Sequence, residues 1–493
     1  MTKNKVSINT GNRKKLQNAV FYEDAELNLS SVKKILGVSA VAKISNYEAM
    51  KGEIRVAGKI PMKIIYLSDE DQILSYDYSK EFMATLSNAD IMPNDKAVLR
   101  CAIIDTDYSG TQELKIKLSL SIDGYYIKEM PVEILEVEGE GIHCKKDQIK
   151  LDKIINLNET TLEISKSFEA KENIFKILAY NTNCVINNIY PYDELFQVEG
   201  EAVTNIIALG EDNKLISQSF NQDFALEAPH SDIMPSSEIM LECFNKSTTI
   251  ILEEEGSRNI IIDLEISFKG VAVEKSQTEV ICDAYCIDKE LIVKDSRIDV
   301  NEGVWQRNKK EEINGSFQVD DDIEKVVAVI NPVNATIELS NNFGLYAEGM
   351  FYAQVVYINK ENIHKSVKCE IPYQILIDKD IMADDNSAAQ IMINNCQPKK
   401  KTANEIELNM NAFVRAWGNN VNKKTIVEDM EEGAAKEDDN IAISLYIAKE
   451  GESLWDVAKM LSTDEKTLMQ LNPDIKLPLR SGDKILLYRE FSF

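Results

Sequence analysis

The chain has 493 residues, 44% hydrophobic and 28% charged with few Pro and Gly, a globular composition long enough for roughly three or four domains. Its 55 Lys and Arg against 82 Asp and Glu leave a net charge of −27, which works against nucleic acid and anionic membranes and favours a basic protein partner. The segment MTKNKVSINTGNRKK lacks an apolar signal core, and no apolar run reaches the roughly 18 residues that cross a bilayer; a soluble cytoplasmic protein without direct membrane insertion is expected.

In chain order, the first strong pattern lies between Ile54 and Tyr66. Ile54, Val56, Gly58, Ile60, Met62, Ile64 and Tyr66 fall on one side, with Arg55, Lys59 and Lys63 on the other. This period of two predicts a long half-buried strand, bent at Gly58 and Pro61. The tetrapeptide DIMP follows at Asp90 to Pro93, then Cys101, then a closing strand carrying Leu114, Ile116, Leu118, Leu120 and Ile122. The same series returns at an offset of 142. ILAYNTNCVI from Ile177 answers ILGVSAVAKI from Ile35, Gly200 answers Gly58, DIMP recurs at Asp232 to Pro235, and Cys243 answers Cys101. A third copy, displaced by a further 148 or 149 residues, holds VVAVINPVNATI from Val326, then Gly349, then DIMA at Asp380 to Ala383. Its closing strand is Ile406, Leu408, Met410 and Ala412; the second copy's is Ile262, Leu264, Ile266 and Phe268.

Common offsets over this length predict three tandem domains, each a β-rich, antiparallel, sandwich-like unit, at 1–148, 149–292 and 293–420. Within each, Ile and Met of DIMP are expected to anchor a connection on the core while Pro sets its exit; a binding loop is the other reading. Residues 421–441 include VEDMEEGAAKEDDN, acidic and poor in large apolar residues, which predicts a flexible solvated linker spanning on the order of 20 Å.

Residues 442–490 read as a β-α-α-β unit. Ser444 to Ala448 form a strand and Gly451 turns the chain. Ser453 and Asp456 make a capping box for a helix whose apolar face is Leu454, Val457, Ala458 and Leu461. A second helix starts near Thr463 or Asp464, turns Leu468 and Leu471 inward and stops at Asn472-Pro473; Ile485, Leu486 and Leu487 close the sheet.

Catalytic patterns are missing. There is no phosphate-binding glycine loop, no nucleophile elbow and no H-E-x-x-H, and His143, His230 and His364 occupy unrelated positions in the copies. The eight cysteines are too scattered for a disulfide framework, and neither Cys282 with Cys286 nor Cys144 beside His143 has a second pair at metal-ligand spacing. The expectation is a protein that is not an enzyme, without metal or cofactor.

The run YIAKEGESLWDVA, the LMQLNP that ends the second helix and the closing LRSGDKILL resemble a LysM domain. Tyr446, Gly451, Leu454, Ala458, Leu468, Asn472, Pro473 and Gly482 match its pattern, whereas Ala448 stands where a valine is usual. The resemblance implies a shallow groove for N-acetylglucosamine polymers, formed by Gly451, Glu452, Ser453 and Leu454 opposite Asn472, Pro473, Asp474 and Ile475. Trp455 and Tyr446 are the aromatics expected to contribute most to a partner interface. Tandem β-rich copies followed by one terminal LysM resemble the SipL-type spore coat encasement proteins, whose repeated units are SPOCS domains. That resemblance implies a structural adaptor in the mother-cell cytoplasm, at the forespore surface, whose LysM docks onto the coat morphogenetic ATPase beside other coat proteins. A peptidoglycan-binding wall protein is the alternative.

Overall fold

The computed structural model describes residues 1–384, 386–436 and 443–488. The first copy contains seven strands: β1 (Thr2–Asn28), β2 (Val32–Ala40), β3 (Lys43–Met50), β4 (Glu53–Ser68), β5 (Ile73–Ser87), β6 (Lys96–Ser109) and β7 (Glu113–Glu138). They form two antiparallel sheets, β1-β7-β6 and β2-β4-β3 with β5 along the other side of β4. The alternation of β4 buries Ile54, Val56, Ile60, Met62 and Ile64 in one core with Leu114, Ile116, Leu118, Leu120 and Ile122 of β7. Pro61 sits where the neighbour of β4 changes from β3 to β2. In the second copy the two sheets are Thr160–Ile174, Ser257–Glu274 and Glu238–Leu252, and Lys176–Tyr192, Leu195–Leu209 and Leu215–Pro229. The third repeats the plan with Lys289–Gln318, Glu405–Ala435 and Ala388–Lys400 over Ile323–Asn341, Leu345–Asn359 and His364–Asp378. The chain is thus mainly β, 75% strand and 4% helical; among the described residues the two α-helices lie near the C-terminal end and one short 3-10 turn, Glu211–Asn213, in the second copy.

The repeated glycine is a slot for an aromatic ring. Gly58 lies opposite Phe82 and Gly200 opposite Phe224, as Gly349 lies opposite Tyr373. A Cβ on Gly58 would come within 2.4 Å of both the Phe82 ring and the Lys43 carbonyl; on Gly200 it would come within 2.3 Å of Phe224 and of the Val185 carbonyl. The DIMP expectation holds for isoleucine and for proline, Pro93 and Pro235 standing inside turns closed by the Asp95 and Ser237 amides on the Met92 and Met234 carbonyls, but not for methionine. Ile91 and Ile233 are fully buried, and their carbonyls accept from the Gly52 and Glu194 amides at 2.9 Å. Met92, Met234 and Met382 are 47%, 46% and 68% exposed, so methionine is not an anchor.

The copies do not stand apart like beads. Leu36 and Leu178, with Val327 beside them, and Ile65, Ile207 and Val356, two sets of equivalent residues, gather in one shared core. A second junction gathers Val98, Met240 and Ala388, again equivalents, around Tyr125 and Trp417. Beyond it the ends of each copy pair as a two-stranded ribbon: the first half of β1 with the second half of β7, Ile142–Lys150 with Gln277–Cys286, and the first half of Lys289–Gln318 with the second half of Glu405–Ala435. Side chains of all three ribbons close on one another through Val132, Ile134, Ile149, Val280, Val300 and Ile426.

This corrects the linker and the boundaries drawn around it. Residues 421–435 are strand, with Ile426, Val427 and Met430 buried. Their acidic neighbours face outward and pair with lysines, Glu428 with Lys294 at 3.1 Å, Asp429 with Lys3 at 2.8 Å and Glu432 with Lys289 at 2.6 Å. A solvated composition was only the outer face of a ribbon. Residues 437–441 of the expected linker lie outside the described residues. Likewise the boundaries at 148, 292 and 420 cut through strands, whereas the turns between ribbons fall at 139–141 and 287–288.

A buried ionic chain crosses all three copies beside the second junction. Arg100 of the first reaches Glu242 of the second at 2.7 Å, and Arg415 of the third lies 3.7 Å from the same carboxylate while donating to the Leu241 carbonyl at 2.7 Å. Burial alone would raise Glu242, but Arg100 and Arg415 outweigh it and hold the carboxyl below its usual range. Arg13 stacks over Trp417 at 3.7 Å, and burial pulls its guanidinium down to about 10. Asp123 is pushed up to about 6, chiefly by burial, against the pull of Arg100.

Three outcomes are expected. Gly200→Ala should lower stability by about 1 to 3 kcal/mol through overpacking against Phe224, read as a shift of the urea midpoint. Glu242→Gln strands two buried guanidinium groups and should cost roughly 3 to 5 kcal/mol in the same measurement. Asp123 binds its proton up to about pH 6 when folded and up to about 3.8 when unfolded. The folded state therefore holds the extra proton between those values, and this group's contribution to stability falls as pH rises through them. Asp123→Asn should flatten that part of the stability profile and be the more stable chain at pH 7.

Candidate functional site in the C-terminal domain

The C-terminal strands Ile443–Ile447 and Lys484–Tyr488 pair antiparallel, and between them run α1 (Leu454–Met460) and α2 (Glu465–Leu471). The local chemistry explains this order. Gly451 turns the chain at φ +83°, a conformation that disfavours a side chain. Ser453 caps α1 in a full capping box: its hydroxyl accepts from the Asp456 amide at 3.3 Å, and its own amide donates to the Asp456 carboxylate at 2.8 Å. Asp464 caps α2 through the Thr467 amide. Leu454, Val457, Ala458, Leu468, Ile485 and Leu487 fill the small core, with Ala448 buried beside them.

Most residues expected to form the groove are engaged in holding the domain together. The Lys449 amide and the Tyr446 hydroxyl keep Glu452 below the usual carboxylate range, the hydroxyl at 2.8 Å. The Asn472 amide donates to the Leu468 and Leu486 carbonyls and accepts from the Leu486 amide, all at 2.7 to 2.8 Å, which ties the end of α2 to the closing strand. Ile475 packs against the core. Leu454 and Trp455 are only 5% and 8% exposed. Gly451, Pro473 and Asp474 are exposed and are the members of the set open to a ligand.

Trp455 is turned inward for a reason the sequence does not display. Its ring packs edge-on against Tyr285 at 4.9 Å, and its indole N–H donates to Asp283 at 2.8 Å. Lys459 donates to the same carboxylate at 2.6 Å, the Tyr285 hydroxyl donates to the Thr463 carbonyl at 2.7 Å, and His143 stacks on Tyr285 at 5.2 Å. Lys436 bridges the Cys286 carbonyl and the Ser462 hydroxyl. The terminal domain is thereby seated on the end of the Gln277–Cys286 ribbon. Asp283 and Tyr285 escaped sequence reasoning because their partners are about 170 residues away; the cysteines flanking them drew attention only as metal ligands. Among the described residues no cluster of His, Cys, Asp and Glu is arranged to hold a metal ion.

Burial alone would raise Asp283, but hydrogen bonds from Lys459 and Trp455 outweigh it and lower the carboxyl below its ordinary 3.8. The contact is therefore fully present above that value and lost as pH falls through the lowered one. Asp283→Ala should weaken docking by about 1 to 2 kcal/mol, given that both ionic partners are half-exposed. Faster hydrogen exchange in α1, with unchanged exchange in the three sandwiches, is the outcome that checks it.

Comparison with known families fits this arrangement. Residues 31–111, which span β2 to β6 of the first copy, match the family described as SipL, SPOCS domain, and residues 446–487 match the LysM domain. No curated protein and no solved structure matches the chain. Among the described residues no helix is long and apolar enough to cross a membrane. Both matched domains are binding or structural modules rather than catalytic ones. With a SPOCS domain in its first copy and a LysM domain at its C-terminal end, the chain has the domain combination of the SipL-type sporulation proteins.

Proposed function

We propose that the protein is a structural adaptor in assembly of the spore coat, working in the mother-cell cytoplasm at the forespore surface, with its LysM domain as the contact to the coat morphogenetic ATPase. The observation that carries this reading is the union of a SPOCS domain and a LysM domain in one polypeptide. The seating of the LysM supports it further. Trp455 and one flank of α1 face the protein's own ribbon, which leaves the turn at Gly451 and the loop at Pro473 and Asp474 pointing away as the contact surface. A LysM fixed to a rigid body presents that surface in one orientation relative to the three copies, which suits a layer whose subunits must face one way. Ordering is complete before the partner arrives, so less entropy is lost on binding.

The second reading, a protein that holds N-acetylglucosamine polymers such as peptidoglycan, draws on the LysM match itself. One experiment separates the two. The full chain and the double variant Pro473→Arg, Asp474→Arg are mixed with the purified coat ATPase and, separately, with insoluble peptidoglycan, and sedimented. Both positions are exposed, so the variant keeps its fold. ATPase capture by the parent chain, reduced roughly tenfold or more in the variant, is expected. Peptidoglycan capture alone would overturn the adaptor reading in favour of the second. Leu454→Arg is unsuited to this test because Leu454 is core.

A further inference from the structure

The three copies meet through equivalent positions, and the chemistry at those positions has diverged. In the inner strands, Lys63 lies opposite Asp77, Asn205 opposite Ser219 and Gln354 opposite Lys368. Following a one-residue bulge, Asp105 lies opposite Ser119, Ser247 opposite Glu265 and Asn395 opposite Asn411. Where the first copy meets the third, charges close the seam: Lys368 reaches Asp105 at 3.3 Å and also binds Asp107, and a gap of only about 20 Å³ remains. Where the third copy meets the second, the corresponding residues are uncharged: the Ser219 hydroxyl donates to Asn395 and the Asn205 amide to the Asn394 carbonyl, both at 3.1 Å, and a cleft of about 470 Å³ lies beside them.

From this contrast we propose that the cleft between the second and third copies is a binding site for a neutral saccharide of one or two rings. Its walls carry the Asn221, Asn394, Asn395 and Asn411 amides and the Ser219 hydroxyl; Ser219 donates to Asn205 and Asn395 and Asn221 to Glu201, and their remaining lone pairs and N–H groups, with the exposed Asn411 amide, are of the kind that sugar hydroxyls require. The charges present argue against an anion. Glu201 is paired with Lys310 at 2.6 Å and Glu311 with Lys309 at 3.3 Å, and Glu312 also lines the wall, so carboxylates exceed cations. The size falls within the range of small-ligand sites. This site is separate from the LysM domain and does not depend on the reading given above for it.

Saturation-transfer NMR on the full chain, with cellobiose and N,N′-diacetylchitobiose each at millimolar concentration, tests the assignment. At least one should receive saturation. Asn221→Trp and Asn411→Trp place an indole in the cleft from exposed rim positions, where the fold tolerates it; each should reduce the signal roughly tenfold or more, whereas Pro473→Arg in the LysM domain should leave it unchanged. Signal that survives both tryptophan variants, or that is abolished by Pro473→Arg, would place the sugar elsewhere and overturn the proposal. So would the lack of saturation of either disaccharide by the parent chain.

Discussion

Everything in this architecture depends on apolar residues at matched positions of three copies being buried against one another. Leu36, Leu178 and Val327 cannot face water and cannot be covered within their own sandwich, because each sits on the outside of a sheet whose inner face is already filled. Three copies of one surface solve the problem by closing on a common axis. The hydrophobic effect has no direction, but the alternation of the strands does, so burying the inner face commits the outer face to a neighbour. The ribbons follow from this closure. Once the copies converge, their terminal strands run side by side, and Val132, Ile149, Val300 and their neighbours complete a column that none of the copies could form alone.

Apolar matching by itself would tolerate any order of copies around the axis. The polar residues discriminate. Arg100, Glu242 and Gln390 occupy one equivalent position, and only the arrangement observed sets the carboxylate between Arg100 and Arg415. A buried ionic chain of this kind adds little net stability after the cost of removing its charges from water, but a wrong neighbour would leave a charge unpaired in the interior. The outer seams behave similarly: Lys368 finds two aspartates on the first copy, while the seam between the third and second is joined by asparagine and serine hydrogen bonds beside a cleft.

The terminal LysM domain extends the same logic. It is seated through Asp283 and Tyr285 on one of three ribbons. The seating uses Trp455, the side chain a reader of the sequence would have offered to a partner, and spares the loops at Gly451 and Pro473. A domain that reads as a tethered module is packed against the ribbon of the second copy.

How much of this was legible beforehand follows from the range of the interactions. The strands of the sandwiches, the helix caps at Ser453 and Asp464 and the burial of Ile91 and Ile233 arise from contacts within a few residues or within one copy, and their periodicity is written in the chain. The threefold repetition was equally legible, because equal offsets survive divergence of the side chains between them. Four features were not: the closure of the copies on an axis, the strand character of 421–435, the inward turn of Trp455 and the exposure of the DIMP methionines. The first three were decided by a surface contributed from elsewhere. The acidic stretch resembled a linker until lysines of distant strands neutralised its outer face, and Trp455 resembled an anchor until Asp283, far away in the sequence, accepted its N–H. Local patterning determined what the units of this protein are; the pairing of one unit's surplus surface with another's, which no single segment encodes, decided how they stand together and which groups are left for a partner.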